Sequence, residues 1–287
     1  MTNKGAGAGR RYVEEGGAIS DMTAVQDGFG NKDVSRRDVL KLSGLTAALA
    51  AGMTGQAFLA GCSKDDDLYK GYKKLADASY DASDFVLVSD VVPDAIQEIR
   101  YFGTYNFVGE RIDGYLEPVA ILCKQAAAAL KTASDVAIAK GYRLKIWDAY
   151  RPQRGVNHFE RWAEDVADVR MKAFFYPDLD KSVLFDQGYI DHRSGHSRGS
   201  TVDITLFDMA TGREIDAGGP FDFFGELSHP DYTAITDEQY ANRMLLRDIM
   251  VGAGYTPLDT EWWHFRLADE PYPDTFFDFP NCAAAVK

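Results

Sequence analysis

The chain has 287 residues, of which 46% are hydrophobic and 13% are aromatic, and its formal net charge is −13 at pH 7. This composition can bury a full core, so it excludes a disordered or fibrous protein. The acidic balance disfavours nucleic-acid binding, because a protein that binds a polyanion needs a basic surface to displace the counterions. Small zwitterionic or cationic partners remain compatible with this charge.

Residues 1–61 have the features of an export signal. Paired arginines lie in Ser35–Lys41, and a mildly apolar run rich in Ala, Gly and Thr follows from Leu42 to Ala60. This order is typical of a twin-arginine signal peptide, although Val39 stands where an aromatic residue is common. The alternative is a transmembrane helix, which is disfavoured because several glycines and Gln56 interrupt the run.

The end of this segment predicts a lipid anchor. Leu59–Cys62 resembles a bacterial lipobox, in which the cysteine thiol is lipidated and the cysteine becomes the new N-terminus. Residues 62–68 are short and charged, as suits a tether between a lipid and a domain. We therefore expect the protein to be exported and to contact a membrane through Cys62 in the cell envelope, on its periplasmic or extracytoplasmic side.

Residues 69–287 are predicted to form one domain, because no repeat, low-complexity tract or Pro/Gly-rich linker divides them. This domain contains two cysteines, Cys123 and Cys282. In an oxidising compartment they either pair or remain inert buried thiols, since Cys123 also fits the apolar face of a helix. The sequence leaves both alternatives open.

The first half of the domain mixes strands and helices. Alternating hydrophobicity predicts a strand from Phe85 to Val92, and one apolar face predicts a helix from Pro118 to Lys140 that stops at Gly141. Tyr142–Trp147 alternates again and is predicted to be a strand. Candidate site residues follow directly after this strand.

The second half contains three further elements. Thr201–Phe207 and Glu261–Leu267 are predicted strands. Between them Thr236 and Gln239 form a capping box that opens a helix running to Val251. Because helices and strands show no regular βαβ alternation, the sequence predicts an α+β fold.

A histidine and an aspartate lie seven positions apart in Ser194–Asp203. His196 falls in a Gly/Ser loop, whereas Asp203 falls inside an apolar strand between Val202 and Ile204. An unpaired carboxylate is costly to bury there. Either coordination to a cation or a buried hydrogen-bond network would remove that cost.

A second imidazole follows in Glu261–His264, three residues after a carboxylate. Two histidines and one carboxylate, with a fourth position left to water, are a common catalytic zinc set. Taken alone, a loop histidine is more often a surface or hydrogen-bonded residue, and Asp203 fits a structural network. The combination of these residues indicates a metal site.

A third block, Asp148–Pro152, follows the strand that ends at Trp147. Together with Ser194–Asp203 and Glu261–His264, in this order and spacing, it resembles the D-alanyl-D-alanine dipeptidases of the vancomycin-resistance type. The resemblance runs from about Val92 to the C-terminus and includes Asn106-Phe107, Gly114-Tyr115, Phe221-Asp222, Ser228-His229 and Asp269–Pro273. It implies a D,D-peptidase or hedgehog-like fold, in which helices flank a mostly antiparallel sheet and the zinc site lies in a cleft on that sheet.

The resemblance implies that His196, Asp203 and His264 hold one zinc ion and that Glu261 is the catalytic base. Zinc brings the pKa of a water molecule near neutrality, and an adjacent carboxylate accepts its proton and later hands it to the departing amine. Arg151 matches the family's arginine, which stabilises charge developing on the carbonyl oxygen. The alternative for this arginine is a surface salt bridge.

For the substrate, the resemblance implies that Tyr101, Asp148 and Asp222 recognise the free ammonium group of a dipeptide. Each of the two acids has the alternative of being a solvated surface charge or a capping residue. The dipeptide carboxylate is expected to meet the loop that begins at Ser194. Together these roles describe the hydrolysis of D-alanyl-D-alanine, or a similar dipeptide, to free D-alanine outside the cytoplasm.

The sequence departs from the family pattern in two places. Thr201 stands where a small alanine is usual, which reshapes the loop slightly without altering a ligand. The export signal is the larger departure, because resistance-type dipeptidases work in the cytoplasm. The expected role outside is salvage of dipeptides released from cell-wall turnover.

Three rival functions remain. A D,D-carboxypeptidase that trims peptidoglycan stems uses the same fold, although such enzymes usually carry Pro where this chain has Trp262. A non-catalytic zinc-binding or cell-wall-binding lipoprotein is the second, but it would have no use for Glu261 or Arg151. A serine or cysteine hydrolase is the weakest, because neither Ser194 nor Ser200 lies in a nucleophile elbow.

Overall fold

The computed structural model describes Tyr69 and residues 71–287. The predicted export signal of residues 1–61, the lipidation site Cys62 and the tether 62–68 lie outside these described residues. Within the described part of the chain, no helix is both long and apolar enough to cross a membrane.

Eight strands and five α-helices make up the regular structure of the described residues. The strands are β1 (Phe85–Leu87), β2 (Ile96–Gln97), β3 (Ile121–Cys123), β4 (Tyr142–Asp148), β5 (Thr201–Asp208), β6 (Arg213–Glu214), β7 (Tyr255–Leu258) and β8 (Glu261–Leu267). The helices are α1 (Val88–Val91), α2 (Lys124–Ala139), α3 (Gln153–Glu164), α4 (Lys172–Phe175) and α5 (Asp237–Gly252).

Six of these strands form one sheet in the order β2-β4-β5-β8-β7, and β6 pairs with β5 beside this path. The pair β2–β4 is parallel, whereas the other pairs in the sheet are antiparallel. Strands β1 and β3 form a separate antiparallel pair. The predicted α+β fold with a mostly antiparallel central sheet is confirmed.

The core lies between the central sheet and the helices that pack on it. Helix α2 buries an alanine-rich face that includes Ala126 and Leu130, and it packs against β4. Small side chains on that face allow the helix to approach the sheet closely. Gly141, at φ +91°, makes the turn from α2 into β4, as predicted from its place at the end of the helical pattern.

Two predicted elements differ from those observed. The expected strand from Phe85 to Val92 ends at Leu87 and continues as the short helix α1. The helix expected from Pro118 begins only at Lys124, because Ile121–Cys123 pairs with β1 instead. Pairing partners 34 to 38 positions away override a local helical pattern, which the sequence periodicity alone does not reveal.

Helix α5 begins where the capping box placed it. The Thr236 hydroxyl accepts a hydrogen bond from the Gln239 N–H, and the Gln239 side chain accepts one from the Thr236 N–H. Two of the four N–H groups that a helix start leaves unsatisfied are thereby paired. The helix packs against β7 and α2.

The two cysteines of the domain are both buried and are not joined by a disulfide. The Cys123 sulfur lies 3.3 Å from the Ser200 hydroxyl, at the end of β3. Of the two alternatives left open by the sequence, the structure has the buried thiols.

Candidate active site

Three side chains capable of binding a metal meet where β5 and β8 pair. Asp203 and His264 are direct cross-strand neighbours in that pair, and His196 lies in the 3-10 turn Gly195–Arg198 just before β5. The sheet register therefore brings together two residues that are 61 positions apart in the sequence. The turn places the third beside them.

The distances between the donor atoms are short and nearly equal. The His196 Nε2 atom lies 3.3 Å from Asp203 Oδ2 and 3.3 Å from His264 Nδ1, and His264 Nδ1 lies 3.1 Å from Asp203 Oδ1. A tetrahedral zinc site with bonds of about 2.0–2.1 Å requires ligand atoms roughly 3.3 Å apart. The three residues fit a zinc ion at this spacing.

A further observation supports the same fit. Asp203 Oδ1 is buried and has no hydrogen-bond partner of acceptable geometry, although His264 Nδ1 is within 3.1 Å. Buried carboxylate oxygens are normally paired. Two polar atoms that lie this close without hydrogen-bond geometry are placed to face a common point, as ligands of one cation do.

The loop before β5 holds His196 in a fixed orientation. Its Nδ1 atom donates a hydrogen bond of 2.7 Å to the Ala149 carbonyl oxygen, which leaves Nε2 as the lone-pair donor for a metal. The Ser194 hydroxyl accepts a hydrogen bond from the His196 N–H at 3.2 Å. Gly199 closes the turn at φ +78°, and a β-carbon there would lie 2.1 Å from the Phe85 ring, so only glycine fits.

Electrostatic interactions within the cluster shift the pKa values of Asp203 and His264. Burial raises the pKa of Asp203, but the neighbouring His196 and His264 imidazoles outweigh this and hold the pKa well below its usual range. Burial lowers the pKa of His264, whereas the Asp203 and Glu261 carboxylates raise it to about 9. Metal binding at neutral pH therefore has to displace a proton from this cluster.

Glu261 and Arg151 lie next to the three candidate ligands. The Glu261 Oε2 atom is 3.3 Å from His264 Nδ1, and the side chain keeps a fifth of its surface exposed to the cavity. One terminal nitrogen of Arg151 lies 3.8 Å from Asp203 Oδ2, and its guanidinium lies 4.8 Å from the centre of the Tyr101 ring. A carboxylate able to take a proton and a guanidinium able to stabilise an anion thus border the same space.

Asp148 lies behind this arginine rather than in the cavity. Its side chain is fully buried, its Oδ2 accepts a hydrogen bond of 3.0 Å from Arg151 Nε and lies 2.9 Å from a terminal nitrogen of Arg151 in an ion pair, and its Oδ1 accepts a hydrogen bond of 2.6 Å from the Tyr115 hydroxyl. The expectation that Asp148 contacts substrate has no support in this placement. Its contacts instead fix the direction of the guanidinium.

Asp222 and Tyr101 form a buried pair elsewhere in the cavity. The Tyr101 hydroxyl lies 3.1 and 3.0 Å from the two Asp222 carboxylate oxygens, and it donates one hydrogen bond to them. Burial and the nearby Asp203 charge raise the pKa of Asp222 well above its usual range, against the opposing effect of Arg151. A carboxylate in this position is stabilised when a cation binds beside it.

All of these groups except Asp148 surround one cavity of about 390 Å³. The sequence-predicted residues that line it are Tyr101, Arg151, Ser194, His196, Asp203, Asp222, Glu261 and His264. Residues 188–191 and 256–258 also contribute to the wall. The predicted residues therefore converge on a single space, as the residues of one active site must.

Two functional contacts were missed from the sequence. The Ala149 carbonyl that orients His196 is a backbone atom and has no residue-type signal. Tyr115 was noted only as part of a matching block, and its link to Asp148 spans 33 positions. Both contacts join distant parts of the chain, which no local sequence pattern shows.

Comparison with known proteins agrees with the site. The family model for D-Ala-D-Ala dipeptidase, a peptidase family, matches residues 81–282. D-alanyl-D-alanine dipeptidases from Streptomyces coelicolor and Enterococcus faecium are 42% and 37% identical to this chain. These matches cover 69% and 68% of this chain and 98% and 97% of the two relatives.

Two weaker matches extend this comparison. The D-alanyl-D-alanine dipeptidase of Escherichia coli is 32% identical over 65% of this chain and 86% of that protein. A solved vancomycin resistance D,D-pentapeptidase in complex with Zn(II) matches with 16% identity and a TM-score of 0.31, over 54% of this chain and 76% of that one. On the family match and the sequence relatives, this chain belongs to the D-alanyl-D-alanine dipeptidase family of zinc metallopeptidases.

Proposed function

We propose that this protein hydrolyses D-alanyl-D-alanine, or a closely similar dipeptide, to free amino acids in a zinc-dependent reaction. The observation that carries the proposal is the cluster of His196, Asp203 and His264, whose donor atoms lie 3.1–3.3 Å apart. Glu261 and Arg151 border the same cavity. A purely structural zinc site would need neither of these two residues.

The mechanism assigns separate tasks to the two neighbours of the ligands. When bound, zinc acts as a Lewis acid and lowers the pKa of a water molecule. The Glu261 carboxylate accepts the proton of the attacking water and later delivers it to the departing amine. The Arg151 guanidinium, held by Asp148, stabilises the negative charge that develops on the carbonyl oxygen.

The two charged ends of a dipeptide are proposed to bind to different parts of the cavity. A free ammonium group is proposed to bind at Asp222 and Tyr101, where a buried carboxylate lacks a cationic partner in direct contact among the described residues. The substrate carboxylate is proposed to meet the loop that starts at Ser194. Selection of a free amine over an acylated one follows, because an acylated nitrogen carries no charge to satisfy Asp222.

The test compares two substrates that differ only in that amine. Purified protein loaded with zinc should hydrolyse D-alanyl-D-alanine with a much higher kcat/KM than N-acetyl-D-alanyl-D-alanine. Faster cleavage of the acetylated compound would replace the dipeptidase proposal with a D,D-carboxypeptidase. No hydrolysis of either compound would leave a zinc-binding protein without this activity.

Glu261→Ala tests the mechanism itself. Removal of the proton acceptor should lower kcat by at least about a hundredfold, the scale of general base catalysis. Zinc content should stay at one ion per chain, because Glu261 is not among the three ligands. Glu164→Ala, at the exposed end of α3, is the matched control and should retain full activity.

We also propose that the protein acts in the cell envelope, anchored through a lipid on Cys62. The support is the sequence alone, namely Arg36-Arg37 followed by an apolar run and a lipobox-like Leu59–Cys62. A fatty-acid label should be incorporated by cells that express the full chain and lost in Cys62→Ala. Recovery of unlabelled, active protein only from the cytosol would overturn this location.

A further inference from the structure

The loop that carries Asp222 holds a strained conformation. Residues 217–229, here called the Asp222 loop, connect β6 to the segment before α5. Within it Asp222 has φ +61°, the only non-glycine residue at positive φ among the described residues. Such a conformation persists only where the surrounding structure over-determines it.

Arg243 joins the two ends of this loop. Its Nε donates a hydrogen bond of 2.6 Å to the Ala217 carbonyl at the start of the loop. Its two terminal nitrogens donate bonds of 2.7 and 2.8 Å to the carbonyls of His229 and Leu227 at the end of the loop. One rigid, planar guanidinium therefore ties together both stems of the loop that presents Asp222.

Burial of the Arg243 guanidinium costs desolvation free energy that an exposed arginine would not lose. The Arg243 side chain is only 1% exposed, and burial lowers its pKa with no compensating carboxylate among the described residues. Three neutral carbonyls are its hydrogen-bond acceptors, and the Trp262 ring lies 5.8 Å away. Burying a charge without a paired carboxylate costs free energy, and here the three carbonyl acceptors offset part of that cost.

Other contacts of the loop are local to one part of it. Asn242 donates to the Asp216 carbonyl at 2.9 Å, just before the loop, and the Phe224 N–H donates to the Phe175 carbonyl at 2.7 Å. The Phe221 ring stacks on Trp147 with centroids 4.9 Å apart. These contacts hold single points of the loop, whereas Arg243 sets the distance between its stems.

We infer that Arg243 is a positioning residue for the ammonium-binding pair Tyr101–Asp222, acting from α5 through the backbone of the Asp222 loop. This inference rests on the proposed function, because that function makes Asp222 the ammonium acceptor. Arg243 touches no substrate atom. It determines how well the protein recognises a free amine, and so how strongly it prefers a dipeptide over an acylated peptide.

Arg243→Gln and Arg243→Lys test the inference in the full-length, zinc-loaded protein. Arg243→Gln should raise KM for D-alanyl-D-alanine about tenfold to a hundredfold, the scale for a misplacement of roughly 1 Å, with kcat much less affected. The preference over N-acetyl-D-alanyl-D-alanine should shrink by the same factor. Arg243→Lys keeps the charge but not the planar set of donors. Its KM should lie between those of Arg243→Gln and the wild type.

Leu246→Ala is the matched control, because Leu246 is fully buried on the same helix but its apolar side chain donates no hydrogen bond to the loop. It should lower thermal stability and leave KM unchanged. A double-mutant cycle with Asp222→Asn adds a second check, since Arg243→Gln should raise KM no further once the acid is gone. Additive effects on KM would overturn the positioning role.

Hydrogen exchange separates failure of this inference from failure of the proposed function. Arg243→Gln should speed amide exchange in residues 217–229 and leave exchange in residues 194–200 unchanged. Wild-type protein that does not cleave D-alanyl-D-alanine would refute the proposed function, whatever the exchange result. An unchanged KM, or unchanged exchange in the loop of an active enzyme, would refute the inference alone.

Discussion

The candidate metal site formed by His196, Asp203 and His264 and the Asp222 loop are held in place by different kinds of contact. Asp203 and His264 are adjacent in the register of two paired strands, so backbone hydrogen bonds of the central sheet fix their separation. Asp222 lies on a loop at φ +61°, and side-chain hydrogen bonds from a helix hold the ends of that loop. Strand pairing fixes the first region, and hydrogen bonds from the buried Arg243 join the two stems of the second.

This difference separates chemistry from recognition. Side chains on the sheet must hold their positions to within tenths of an ångström, because metal geometry and transition-state stabilisation depend on those positions. The Asp222 loop, which is proposed to recognise one end of the substrate, is held by fewer contacts than the sheet. Loss of one of these contacts should therefore shift its position. Substitutions near the sheet should therefore act on kcat and on zinc, whereas substitutions near the loop should act on KM.

The largest expected effect comes from breaking the sheet-borne cluster. His264→Ala should abolish hydrolysis and zinc binding, because two ligands do not hold the ion as three do. Added zinc should raise the thermal midpoint of the wild type and not that of the variant, since a ligand that binds only the native state stabilises it. His192→Ala, an exposed histidine away from the cluster, should behave as the wild type.

Arg151→Lys should produce the next largest effect, a loss of about a hundredfold to a thousandfold in kcat. A lysine keeps the charge but cannot reproduce both contacts of Arg151 with Asp148, the hydrogen bond from Nε and the ion pair of a terminal nitrogen. Steady-state kinetics below the unfolding temperature measures this, with Arg161→Lys on the exposed face of α3 as control. An unchanged kcat would remove Arg151 from the mechanism.

Asp222→Asn should act mainly on KM, raising it about tenfold to a hundredfold, as expected for loss of a hydrogen-bonded charge. The ammonium group binds the ionised carboxylate, and burial raises the pKa of Asp222. In the wild type KM should therefore fall as pH rises through that raised pKa, and the variant should lose this dependence. Asp231→Asn, exposed just beyond the loop, serves as control.

The smallest expected effect is a stability change with no kinetic change. Thr236→Ala removes one half of the capping box at the start of α5 and should lower the free energy of unfolding by about 1 kcal/mol. Denaturant unfolding measures the loss, and Thr236→Ser should largely restore it. A rise in KM in Thr236→Ala would show that the Asp222 loop depends on the whole helix and not on Arg243 alone.

Local patterns predicted much of the fold. Strands β4, β5 and β8 and the start of α5 follow from alternation and from a capping box, which are decided by neighbouring residues. The local pattern predicts a helix over Ile121–Cys123, whereas in the structure this segment pairs with β1. Long-range pairing is absent from any local window of sequence.

The candidate zinc ligands, Glu261 and Arg151 were predicted from residue types, spacing and family resemblance, since metal chemistry restricts which side chains are useful. The sequence alone predicted this set, and it determined the acidic character of the body. Only the tertiary structure decided that Asp148 lies behind Arg151, that Ala149 orients His196, and that a buried Arg243 holds the Asp222 loop. Each of these is a contact between a side chain and a distant backbone or side-chain atom, and such contacts exist only once the chain has folded.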